Sequence, residues 1–231
     1  MKNLYVSKSV MVGFYKKVSS LLLAILVIMP IIVLSVPKNC TDVNAEEAYT
    51  KVDVGVSIGS CFIDEKFAAI IYERTLGHNI DNFSMDYKLT PKDVAAIKSL
   101  VFLNVDYMWI HDLTGIQNFE NLESLTCVGN SLTSLQDLPN TLAYLRCANN
   151  QLTDLKNLPC ELKFLDCSNN KLTSLPNLPN NIISLYCSNN ELTSLNVTGC
   201  NNLKILYCQT NKLSSIDANG LIELKRLYAY N

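Results

Sequence analysis

The second half of the chain is written as a refrain of apolar and polar positions. From residue 122 onward the pattern L-x-x-L-x-C-x-x-N-x-L-x-x-L recurs, with copies beginning at Leu122, Leu142, Leu162, Ile182, Leu203 and Leu224. The intervals are 20, 20, 20, 21 and 21 residues, and an earlier, looser copy starts near Ile97 or Leu100 and runs through "IHDLTGIQNFEN" into Leu122. Self-similarity at such a period predicts a stacked solenoid. Each copy supplies a short strand, such as "FLDC", that pairs with its neighbours as a parallel ladder, after which the chain returns along the convex side. Leu162, Leu165, Cys167, Leu172, Leu175 and Leu178 then all point into one coil. No coil buries that face alone, so stacking is what stabilises it.

Three residue types refine the picture. Asn130, Asn150, Asn170, Asn190 and Asn211 share one repeat position, where an inward amide can satisfy the backbone of the turn leaving the strand. "LPNLP" and "LPC" on the return path favour extended, polyproline-like backbone over helix. Cys127, Cys147, Cys167, Cys187 and Cys208 hold the third inward position of the strand. A metal site needs ligands converging on a point, and these lie along a line. A disulfide between coils is conceivable in an exported protein, yet side chains pointing the same way give poor bridge geometry. Buried packing thiols are the simplest reading. Cys160 and Cys200, on the return side, are the better placed to react.

Residues 46–96 differ in composition and predict a helical cap over the open end of the first coil. "CFIDEKFAAIIYERTL" has helical apolar spacing at Phe67, Ile70 or Ile71, and Leu76. "TPKDVAAIKSL" opens a second helix with Thr90 as N-cap, Pro91 at N1 and Asp93 at N3. Between them Asn82, Ser84, Asp86, Thr90 and Asp93 match positions of a helix–loop–helix calcium loop. Tyr87 stands where that loop has its glycine and Asp93 where it has a bidentate Glu, so a degenerate loop kept as a cap, with no metal, is the default.

Charge and hydropathy sort the ends. Residues 1–17 carry Lys2, Lys8, Lys16 and Lys17 and no acid, and residues 18–36 are uncharged. With Val43 and Ala45 before an acidic stretch, this is a secretory signal pattern with cleavage expected after Ala45. A retained membrane anchor is the rival; Pro30 inside the apolar run and the acids after Ala45 weigh against it. Only if the segment is retained is a membrane a partner. Residues 46–231 keep 14 basic and 20 acidic side chains, a formal charge of −6, which excludes a nucleic-acid footprint. His78 and His111 are the only histidines, and no nucleophile elbow, phosphate loop or metalloprotease motif accompanies them. The chain reads as a non-enzyme without cofactor. The last copy stops at Asn231 before finishing, so 97–231 is expected to end in an incomplete repeat.

"FIDEKF…LTPKDVAAIKSL…IHDLTGIQNFENLESLTCVGNSLTSL" resembles the start of internalin-like leucine-rich-repeat surface proteins of Gram-positive bacteria. The "LPNLP" copies also resemble the leucine-rich-repeat effectors of Gram-negative pathogens. The resemblance implies an α/β-type repeat solenoid with short parallel strands on its concave face, extended convex segments and a helical N-terminal cap. It also implies a secreted or cell-surface protein that binds a partner. The partner expected is a host or bacterial surface protein, or a glycan. A second reading makes the repeats the targeting portion of a longer surface protein with a separate effector or anchoring domain, and a third makes them a structural adhesion scaffold.

On the concave face the position before Cys runs Thr126, Arg146, Asp166, Tyr186, Tyr207, Tyr228, and the column two residues earlier runs Ser124, Tyr144, Phe164, Ser184, Ile205, Arg226. Rungs about 4.8 Å apart place Tyr186, Tyr207 and Tyr228 in one aromatic row, which Tyr144 and Phe164 extend. Aromatics beside arginine have hot-spot composition. The ligand-binding candidates are therefore Tyr144, Arg146, Phe164, Asp166, Tyr186, Tyr207, Arg226 and Tyr228. Plain strand preference of tyrosine is the competing explanation.

Overall fold

The computed structural model describes residues 50–229. The signal segment expected at 1–45 lies outside the described residues, as do 46–49 of the expected cap.

Seven three-residue strands form one parallel sheet in chain order: β1 (Phe102–Asn104), β2 (Ser124–Thr126), β3 (Tyr144–Arg146), β4 (Phe164–Asp166), β5 (Ser184–Tyr186), β6 (Ile205–Tyr207) and β7 (Arg226–Tyr228). Register follows the refrain, with Leu125, Leu145, Leu165, Leu185, Leu206 and Leu227 directly opposite one another. The loose first copy supplies β1, whose Leu103 pairs with Leu125. Apart from the 3-10 turn Ile116–Asn118, the convex segments carry neither helix nor strand, and Pro139, Pro159, Pro176 and Pro179 suit that extended backbone in the three coils that have them. The protein is a parallel-strand solenoid.

Leu162, Leu165, Cys167, Leu172 and Leu178 are buried, while Leu175 is only partly so. The five ladder cysteines are buried free thiols. Burial pushes the thiols of Cys127, Cys147, Cys167 and Cys187 far up, and that of Cys208 up to about 11. Cys200, expected to be reactive on the return side, is also fully buried and its thiol is likewise raised. The reason is positional: Cys200 closes the return path just before Leu203, where its side chain joins the core.

The asparagine ladder joins the coils. In Asn150, Oδ1 accepts the Leu132 N–H at 3.1 Å, and Nδ2 donates to the carbonyls of Cys127 at 2.9 Å and Cys147 at 3.1 Å. Asn170, Asn190 and Asn211 repeat the arrangement one coil further on. Each amide thus ties its own turn to the preceding coil.

The cap holds α1 (Ile58–Cys61), α2 (Glu65–Ile70) and α3 (Pro91–Ser99). The first expected helix is α-helical only to Ile70; a π-helical turn, Ile71–Thr75, follows, and Leu76 N–H bonds Ile71 O at 3.0 Å. The wider turn returns Leu76 to the buried face five residues after Ile71, which strict α-spacing does not. Asp64 N-caps α2 through Oδ1, and its Oδ2 accepts the His111 N–H at 2.8 Å and the Asp112 N–H at 3.3 Å. Phe62 and Phe67 meet Phe119 of the first coil at ring-centroid distances of 5.7 and 6.5 Å, closing that end of the core. Gly115 (φ 107°) lies at the seam, where a Cβ would overlap the Cys61 carbonyl and the Phe62 ring.

Asn150→Ala leaves the Leu132 N–H buried without an acceptor, and should lower stability by roughly 1–3 kcal/mol, read as a shifted urea midpoint. A loss below the scatter of surface substitutions would refute the ladder's role. The ladder thiols should resist a disulfide reagent in the folded protein near pH ~8 and all react once it is unfolded.

Candidate functional site

The concave face is built by the outward residues of seven register-matched strands. Two columns of side chains face it, and the rungs bring five aromatic rings into one file. Tyr144 stacks on Phe164 with centroids 4.3 Å apart and planes at 13°. Phe164 meets Tyr186 at 5.4 Å and 37°. Tyr186 and Tyr207 lie 4.8 Å apart at 88°, and Tyr207 and Tyr228 lie 4.5 Å apart at 87°. The spacing along the row matches one rung, but its tyrosines meet edge to face, the arrangement that their quadrupoles favour.

The file changes column between Phe164 and Tyr186. Phe164 pairs in register with Ser184, and Asp166 with Tyr186. Ser184 is small and buried, so the rung beside Phe164 carries no ring, and the diagonal neighbour Tyr186 supplies one. Beside the crossing, Arg146 Nε lies 3.6 Å from Asp166 Oδ2. Arg226 stands exposed on β7. Burial raises the phenols of Tyr144 and Tyr186, with the Tyr207 phenol adding to the effect at Tyr186, so both rings stay neutral at physiological pH. Thr126 is buried and contributes no open surface.

The five residues of the calcium-loop pattern divide into four exposed ones and one buried one. Asn82 ends a 3-10 turn (Ile80–Asn82) and is exposed, as are Ser84, Asp86 and Thr90. Asp93 is buried and occupied: Oδ2 accepts from Thr90 N at 2.9 Å, Thr90 Oγ1 at 2.7 Å and Tyr87 OH at 2.8 Å, and Oδ1 lies 2.9 Å from His78 Nε2. Its carboxylate serves the capping box of α3. Among the described residues, no group of three or more His, Cys, Asp or Glu is placed to hold a metal. Burial works against the Asp93 charge, but the hydrogen bonds from Thr90, Tyr87 and His78 outweigh it and hold the carboxyl below its ordinary range. Burial, with Asp93 beside it, pushes the Tyr87 phenol up to about 12. His111, the other histidine, is exposed.

Two aromatic residues of the first coil, Tyr107 and Trp109, went unread in the sequence. Both are exposed, at 59% and 72%. The one signal was in the next copy, where "VGN" replaces the "ANN" or "SNN" of the copies at 148, 168 and 188.

With strands, amide ladder and return path in place, the chain has the leucine-rich-repeat fold. No protein-family model and no curated protein matches it. Among solved structures, it is similar to the leucine-rich-repeat domain of a Shigella effector, at 30% identity over 57% of this chain and 59% of that one, with a TM-score of 0.52. The functional domain of InlJ from Listeria monocytogenes, which includes a cysteine ladder, aligns at 23% identity over 78% of this chain and 49% of its own, with a TM-score of 0.45. Internalin C2 from the same species aligns at 16% identity over 79% of this chain and all of its own, with a TM-score of 0.41. The chain thus spans 59% of the Shigella domain and 49% of the InlJ domain. The likeness to the Shigella domain agrees with the leucine-rich-repeat fold expected from the refrain.

Asp93 generates a pH dependence of defined sign. Because its folded carboxyl is depressed, its stabilisation is present above the unfolded value near ~3.9 and is lost as pH falls through the folded one. Asp93→Asn should lower the melting temperature at neutral pH, and the gap to wild type should close below pH ~4. A gap that stays constant down to acid pH would show that the charge contributes nothing.

Proposed function

We propose that this protein is an exported, non-enzymatic recognition module that binds a protein partner through the aromatic file of its concave face. The carrying observation is the unbroken run of rings from Tyr144 to Tyr228, partly open to solvent and spaced by the rungs of the sheet. Rings already held by their neighbours give up little side-chain freedom on binding, so more of their contact energy reaches affinity. Arg146, Asp166 and Arg226 flank the file and supply polar contacts at its rim. The Arg146–Asp166 pair is already mutually neutralised, which leaves Arg226 as the charge offered to a partner. Export is supported by the lysine-rich start and the uncharged run at 18–36, and a surface or secreted role by the resemblance of the first repeat to internalin-like surface proteins. The non-enzymatic reading is supported by His78, which is engaged by Asp93 and Tyr87 rather than by a serine or cysteine nucleophile.

The test is retention of host and bacterial surface proteins on the immobilised full-length chain, beside Tyr186→Ala/Tyr207→Ala. The variant should keep the wild-type circular dichroism spectrum and bind a captured partner at least roughly tenfold more weakly. Undiminished affinity would move the interface elsewhere.

A further inference from the structure

Charge is unevenly divided along the sheet. Residues 46–231 carry a formal charge of −6, yet the segments "ISLY" (183–186), "KILY" (204–207) and "KRLY" (225–228) hold three cations and no acid. These are the segments that carry Tyr186, Tyr207 and Tyr228, so cations and rings share the same three coils.

Lys163, Ile183, Lys204 and Lys225 occupy one repeat position, immediately before the column of Phe164, Ser184, Ile205 and Arg226. The backbone strings them together. Ile183 N–H donates to the Lys163 carbonyl at 2.8 Å, Lys204 N–H to the Ile183 carbonyl at 2.8 Å, and Lys225 N–H to the Lys204 carbonyl at 2.9 Å. Lys163 and Lys225 are exposed and Lys204 partly so. Two of the lysines also meet in space: Lys163, Asn181, Ile183, Asn202 and Lys204 line one open hollow, and no carboxylate lines it with them. Arg226 acts on the file itself. Burial and the Tyr207 phenol raise the Tyr186 phenol, and the Arg226 charge opposes them from two rungs away.

Other basic residues of the repeats are paired, Arg146 with Asp166, Lys156 with Asp154 and Lys212 with Glu191. Among the described residues, Lys163, Lys204, Lys225 and Arg226 form no ion pair. Lys204 and Lys225 stand on adjacent rungs, where like charges cost stability. The fold does not neutralise this run, and a partner of opposite charge would.

We infer that the partner presents an acidic polypeptide segment, its carboxylates lying along Lys163, Lys204, Lys225 and Arg226; this rests on the concave face being the binding site. Complementary charge speeds encounter and fixes the register in which such a segment lies. In the hollow, two ammonium groups and two side-chain amides can donate to one carboxylate, with Ile183 as apolar lining. Ile183 and Ile205 among the cations favour a polypeptide, which brings apolar side chains with its carboxylates, over a sulfated glycan.

Poly-L-glutamate is the probe, because a chain of acidic balance repels it unless a local basic site takes hold. The full-length protein should bind labelled poly-L-glutamate saturably at ~50 mM NaCl and release it as salt rises toward ~0.5 M. Lys163→Gln/Lys204→Gln should lower the affinity about tenfold. Lys88→Gln/Lys92→Gln removes the same charge from the cap and should leave it unchanged. Polyglutamate brings no apolar side chain to the rings, so Tyr186→Ala/Tyr207→Ala should bind it like the wild type. Failure here and failure of the concave reading are thereby told apart. Absence of polyglutamate binding, an equal loss in the Lys88/Lys92 variant, or binding of heparin without polyglutamate would overturn the proposal.

Discussion

The amide that each coil lends to the one before it is the interaction on which the rest depends. A chain leaving a buried strand in a tight turn exposes N–H and C=O groups to an apolar interior, and unpaired they would cost more than the packing returns. Asn150, Asn170, Asn190 and Asn211 meet that need with one side chain per coil, bonding their own turn and the preceding one together. Because the same amide serves two coils, it sets their register as well as their stability. The cysteine beside it is the complementary half of the design: a small apolar side chain in the narrow space under the turn, with its backbone carbonyl accepting from two successive asparagines.

Where the ladder begins, the pattern has to be replaced. The first coil carries Met108 in the asparagine position, so Asn130 reaches back to accept two N–H groups instead of one. Asp64 does the matching work from the cap, accepting four backbone N–H groups, two from its own helix and two from the first coil. Cap and repeats are thus joined by hydrogen bonds to charged or amide oxygens as well as by the Phe62, Phe67 and Phe119 cluster.

Features carried by local pattern were legible in the sequence. The period, the inward asparagine, the extended return path and the Thr90–Asp93 capping box each depend on residues a few positions apart. What depends on long-range placement was not. Asp64 meets the first coil across 47 residues, and no local spacing announces it. The π-helical turn is a tertiary demand for Leu76 laid over an α-helical period. Asp93 fits two patterns at once, a helix cap and a loop ligand, and the partners of its oxygens are those of the cap. The aromatic row was legible because its columns follow the period. Its change of column at Phe164 was not, since that turns on the size of Ser184 in the facing rung.

The concave surface inherits its geometry from the core beneath it. A strand of three residues has no stiffness of its own, yet its outward rings hold spacings of 4.3 to 5.4 Å over five coils. That regularity is set by inward residues which never touch solvent: the leucine at the strand centre, the cysteine after it, and the amide beyond. A substitution in the asparagine ladder therefore acts on the surface without altering a surface residue, by letting one rung slip against the next. The face that the rings present is therefore a property of the stack, set by the order of the coils as much as by the side chains they display.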